Sequence, residues 1–203
     1  MNILIPILQF AVIIPIAIGF AYLRSLPRTA RIFLFILSSY LAVEIISTIM
    51  IYIAGNNMIV YFIYVPAMMA MYGYFYFHSV RNPWAQRVIT GVTLLAIAVP
   101  IGETVIMDKS LMNSLSLGVI SFAIFGFSLY LFYEMALNQV DHKSYWVNIF
   151  IFFYFFVSVG YFIAGRYLQR NDMEAMILMG NMHAIVNTVC YFGYAYGLKA
   201  YAR

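Results

Sequence analysis

A chain of 203 residues that is 65% hydrophobic and only 9% charged, with a mean hydropathy of +0.91, lies outside the soluble globular class. A water-facing surface would need about a quarter of the residues charged. The net charge of +4 suggests no nucleic-acid partner, because basic residues in so apolar a chain mark the cytoplasmic flanks of membrane segments. The single cysteine, Cys190, excludes an intramolecular disulfide and reads as a small buried thiol.

The predicted elements are seven apolar segments, each long enough for the roughly 20 helical residues that span a bilayer. The first, 3–23, is expected to be a helix and not a signal peptide: MNILIPILQF has no basic leader or small-residue cleavage site, and the apolar run is too long. It carries Gln9. The second, 32–54, holds Glu44 among Ser38, Ser39, Ser47 and Thr48. The third, 58–80, reads YFIYVPAMMAMYGYFYF over most of its length and contains Tyr61 and Tyr64. Such a stripe either grips a flat or greasy ligand or forms lipid-facing bulk and bundle core. The fourth, 88–107, places Glu103 one turn after Pro100; the fifth and sixth are 114–137 and 145–165. The seventh, 175–198, puts His183 and Asn187 four residues apart, on one helix face with Gly180 and Tyr191.

No segment alternates in polarity as a barrel strand would, so the expected fold is an all-α polytopic transmembrane bundle. The connectors are too short for a separate domain, and residues 1–203 form one membrane domain. Prolines at 6, 15, 66 and 100 fall within helices, where each removes a backbone hydrogen bond and is expected to kink the chain. No repeat relates the first three spans to the last three.

Orientation follows from the basic residues. Arg24, Arg28, Arg31, Arg81, Arg87, Lys143, Lys199 and Arg203 share one side, against Lys109, Arg166 and Arg170 on the other. Short loops rich in Lys and Arg stay cytoplasmic, so the C-terminus is expected in the cytoplasm and, with seven spans, the N-terminus outside a plasma membrane. Trp84, Trp146, Tyr22 and Tyr201 then fall at cytoplasmic span ends as interfacial anchors.

An ionisable side chain within the bilayer costs about 2.5–3.5 kcal/mol on insertion scales, so each needs a reason to be there. Glu44 and Asn187 fall near the midplane; Glu103, His183, Gln9, Tyr61 and Tyr64 fall in the outer half. Together with Ser47 they are the candidate ligand-binding residues of an outward-opening polar pocket lined by spans one, two, three, four and seven. The competing reading makes Glu44, His183 and Asn187 interhelical hydrogen-bonding groups and Glu103 an interfacial side chain. Three histidines scattered as His78, His142 and His183 form no metal site of the kind found in alkaline-ceramidase-type membrane hydrolases, which use a histidine pair on the last helix. No catalytic motif and no cofactor are expected. Gly193 and Gly197 form a GxxxG pair that admits a close helix, from the same chain or from a second copy.

The runs SYLAVEII, YWVNIFIFFYF and HAIVNTVCYFGYAYGL resemble a group of small bacterial seven-helix membrane proteins of unassigned function, which implies the seven-span architecture and no activity. SWEET-type sugar transporters and the KDEL receptor share the helix count, but their proline-glutamine signature and repeat are missing. The expected function is non-enzymatic: a small transporter, or the sensing subunit of a membrane complex, that accepts a small molecule or proton. The alternatives are an intramembrane lipid-acting enzyme using Glu44 or Glu103 with His183, and a scaffold subunit.

Overall fold

The computed structural model describes residues 10–106, 114–137, 140 and 144–202, all helix or short connection, with no strand among them. A 3-10 turn, Phe10–Val12, leads into α1 (Ile13–Ala21). There follow α2 (Arg28–Ala54), α3 (Met58–Ser79), α4 (Pro83–Ile106), α5 (Ser114–Ala136), α6 (Tyr145–Asn171) and α7 (Met173–Tyr201). The chain is thus an all-helical bundle in which six helices, α2 to α7, are long and apolar enough to cross a membrane. Helix α1 is a shorter apolar helix within the described residues, and Gln9 and Pro6 lie outside them.

Several helices overrun their predicted spans. Helix α2 begins at Arg28, directly after Pro27, and α4 begins at Pro83 behind Asn82, where proline's fixed φ and missing N–H suit a helix start. Helix α6 continues through RYLQRN to Asn171, since nothing in that stretch breaks a helix. Polarity marks where a helix leaves the lipid, not where it ends. Helices α3 and α4 run on through Pro66 and Pro100.

Neighbouring helices form a closed ring: α1 packs on α7 and α2, α2 on α3, α3 on α4 and α5, α5 on α4 and α6, and α6 on α7. The core includes Phe33, Met69, Phe75, Tyr76, Ile124, Leu131 and Phe155. Around it runs an exposed apolar belt in which Tyr52, Ile53, Ile63 and Leu95 are 71–84% accessible, a surface suited to lipid. Trp84, Trp146 and Tyr22 are exposed as expected of interfacial anchors, but Tyr201 is buried and belongs to the core.

The GxxxG pair of α7 is used inside the chain. A Cβ on Gly193 would overlap the Phe150 ring, and one on Gly197 would lie 2.7 Å from Val147 Cγ2 and 3.0 Å from the Val147 backbone nitrogen. Helix α6 therefore occupies the face that a second copy would need.

Two glutamates tie the antiparallel pair α4 and α5 reciprocally. Glu134, near the end of α5 and fully buried, accepts the backbone N–H groups of Arg81 (2.8 Å) and Asn82 (3.1 Å) at the start of α4. Glu103, near the end of α4, accepts the backbone N–H and the hydroxyl of Ser116 in the first turn of α5. Each carboxylate sits at the positive end of a helix dipole and binds N–H groups that the helix itself leaves free.

Candidate functional site

The two ends of the bundle are built differently. Toward the α3–α4 connection the interior is closed by a polar network around Asn148 of α6. The Tyr76 hydroxyl donates to Asn148 Oδ1 at 2.9 Å, Ser128 Oγ donates to the same oxygen at 2.9 Å, and Asn148 Nδ2 donates to the Ser128 carbonyl at 3.0 Å. Asn148 and Ser128 are fully buried, and every polar atom of the amide has a partner, as a dry interior requires.

Toward the α2–α3 and α6–α7 connections the bundle instead encloses a cavity of about 510 Å³, within the range of small-molecule sites. From α2 it receives Tyr40 and Glu44; from α3, Tyr61, Tyr64, Val65 and Met68. Helix α5 adds Leu117 and Ser121, helix α6 adds Tyr154, Phe155, Tyr161 and Phe162, and helix α7 adds Gly180, His183, Ala184 and Asn187. Asn57 closes one edge. Gly55, at φ 66°, ends α2 in the left-handed region that glycine tolerates, and the tight turn lets Asn57 Nδ2 reach back to Ser47 Oγ at 2.6 Å.

The hydroxyls around Glu44 are mostly spent on their own helix: Ser38 Oγ donates to Leu34 O, Ser39 Oγ to Ile36 O, and Thr48 Oγ1 to Glu44 O. The carboxyl group of Glu44 has the Tyr40 hydroxyl, one turn earlier on the same face, as its side-chain partner. The other tyrosines are held by serines: Tyr61 by Ser47, Tyr64 by Ser39 and Tyr154 by Ser158.

His183 is fixed from three sides. Its Nε2 lies 2.9 Å from Ser158 Oγ, its ring stacks on Tyr161 at 4.5 Å and 19°, and Tyr154 closes on it at 5.5 Å. Ser158 Oγ also donates to the Tyr154 carbonyl at 2.8 Å. A hydroxyl has one proton, so with both bonds made the imidazole donates through Nε2–H and keeps Nδ1 as its acceptor. The interhelical hydrogen bond considered for His183 is thus present, between α6 and α7. Asn187 lies one turn further along α7, with Tyr191 as a side-chain partner.

The structure brings together Glu44, Tyr61, Tyr64, His183 and Asn187, with Ser47 linked to the cavity edge through Asn57. Glu103 is not among them: its carboxylate is held at the start of α5, a capping position. The five helices that line the cavity are α2, α3, α5, α6 and α7, where the sequence reading had spans one, two, three, four and seven. Span one contributed only through Gln9, outside the described residues, and span four only through Glu103. The contributions of α5 and α6 went unseen because they are made by serine, tyrosine and phenylalanine. A hydroxyl or a ring in an apolar helix reads as glue or bulk until the helix's neighbours are known. Ser158 could have been found as a buried hydroxyl one turn from Tyr154. Glu134 sits one turn from the end of its span, where hydropathy reads it as a boundary residue.

Among the described residues no group of three or more His, Cys, Asp or Glu side chains could hold a metal ion. Comparison of the chain with protein-family models, with curated proteins and with solved structures finds no match.

Proposed function

We propose that this chain is a seven-span plasma-membrane protein, N-terminus outside and C-terminus cytoplasmic, that binds a small molecule or proton without chemical conversion, as a small transporter or the sensing subunit of a membrane complex. The observation that carries the reading is the contrast between the cavity at one end of the bundle and the satisfied network at the other. The cavity lies on the side of the α2–α3, α4–α5 and α6–α7 connections, opposite the loops and C-terminal end that together hold eight of the eleven basic residues. On the positive-inside rule it faces outward. Glu44 is then the central polar group, its burial offset by the cavity and by Tyr40, and His183 and Asn187 supply hydrogen bonds. The lipid-acting alternative keeps only its Glu44 form, since Glu44 and His183 both line the cavity. Glu103 is engaged elsewhere, and Ser158, bonded to His183, is fully buried and does not line the cavity.

The test uses the single native cysteine. In a Cys190→Ala background, Tyr61→Cys is treated in intact cells with a membrane-impermeant thiol reagent, beside Ser128→Cys from the closed end. Labelling of the first and not the second supports a wet, outward-facing cavity. Labelling of neither supports a dry scaffold, and labelling only in inverted vesicles reverses the orientation; either result overturns the proposal.

A further inference from the structure

The cavity's charge and surface chemistry select a class of ligand, an inference that rests on the binding role just proposed. Of the residues that line it, one is an acid, Glu44, and none is lysine or arginine. The imidazole of His183 already has its Nε2 on Ser158. The rest of the wall is dominated by rings: five tyrosines and two phenylalanines contribute, drawn from α2, α3 and α6, so that they surround the space and do not form one flat face.

An aromatic face is negative and attracts a cation within about 6 Å of its centroid, the more strongly when water is excluded. A carboxylate buried among such rings is unfavourable by itself, since neither lipid nor ring stabilises an anion. Both features are relieved by the same occupant, a positive charge. Anionic ligands meet the opposite: a carboxylate, ring faces and no guanidinium or ammonium to receive them.

We infer that the site binds a small organic cation, an amine or quaternary ammonium compound, with Glu44 as its counter-ion and the rings of Tyr40, Tyr61, Tyr64, Tyr154 and Tyr161 as its walls. A cavity of about 510 Å³ has room for such a molecule and no need of a long chain.

The test pairs each cation with an uncharged counterpart of similar shape: choline with 3,3-dimethylbutan-1-ol, and benzylammonium with benzyl alcohol. Affinities are measured calorimetrically on the full chain in lipid nanodiscs. In at least one pair the cation is expected to bind tighter by about tenfold or more. In Glu44→Gln the preference should fall to within about threefold, while Glu44→Asp retains it, which separates loss of charge from loss of fold. A cation and its neutral partner binding equally in both pairs, no binding by either cation, or an undiminished preference in Glu44→Gln each overturns the inference. The thiol-labelling result separates the two proposals. A wet cavity without cation preference removes only the ligand class, whereas a dry cavity removes both.

Discussion

The Asn148 end and the Glu44 end of the bundle are assembled from the same residue types, tyrosine, serine, asparagine and glutamate, yet one is closed and the other hollow. At the Asn148 end Tyr76, Ser128, Asn148 and Glu134 meet their partners across helices: tyrosine to amide, serine to amide, glutamate to backbone N–H. At the Glu44 end Ser38 and Ser39 turn back to their own helix and Ser158 holds His183, leaving the carboxyl group, the amide of Asn187 and the tyrosine rings beside an open space. Composition alone does not make a membrane interior functional. What matters is whether its polar groups exhaust one another.

The comparison is broken most severely at the tight contact of α7 with α6. In Gly197→Leu the new side chain would meet the Val147 backbone nitrogen, where its first atom already lies at 3.0 Å and a main chain cannot turn aside. Overpacking of this kind costs about 3 kcal/mol, and the folded fraction in a dodecyl sulfate titration should fall sharply. Next comes Asn148→Ala, which strands the Tyr76 hydroxyl and takes the side-chain donor from the Ser128 carbonyl, while Ser128 Oγ keeps only the carbonyl of residue 148 at 3.2 Å. Its expected cost is about 2 kcal/mol, against under about 1 kcal/mol for Asn187→Ala, whose amide faces the cavity. Equal losses from the two asparagines would erase the distinction between the ends.

Glu134→Ala should cost about 1–2 kcal/mol, because two N–H groups ahead of α4 lose their acceptor. Glu103→Ala should cost about 1 kcal/mol through the start of α5 and leave cation binding unchanged. Loss of binding in Glu103→Ala would return that residue to the cavity.

The helices were legible in the sequence, and the site only partly so. Seven apolar stretches located seven helices because a lipid-facing helix must be apolar over most of its length. Glu44, His183 and Asn187 stood out for the same energetic reason, a polar group where insertion disfavours it. Glu103 stood out by the same logic and proved to be a cap, since an acid near a span's end serves a neighbouring helix's N–H groups as readily as a ligand. Tyr154, Tyr161 and Ser121 gave no such signal. Their part depends on which helices lie side by side, and helix adjacency in this bundle is set by packing contacts, such as Gly193 on Phe150, that no single segment reveals.

The smallest effect on stability is expected from Glu44→Gln. The substitution keeps the shape and an acceptor oxygen for Tyr40 while removing a group whose ionised form burial disfavours. The protein should therefore unfold within about 0.5 kcal/mol of the parent chain, or resist denaturant slightly better. Sites kept for binding hold groups that the fold alone would not choose, and a stability-neutral Glu44→Gln that also loses cation preference is the signature of such a group. A marked destabilisation, comparable with that of Asn148→Ala, would place Glu44 in the structural class instead. The hollow end of the bundle would then be a second packed end with a gap in it.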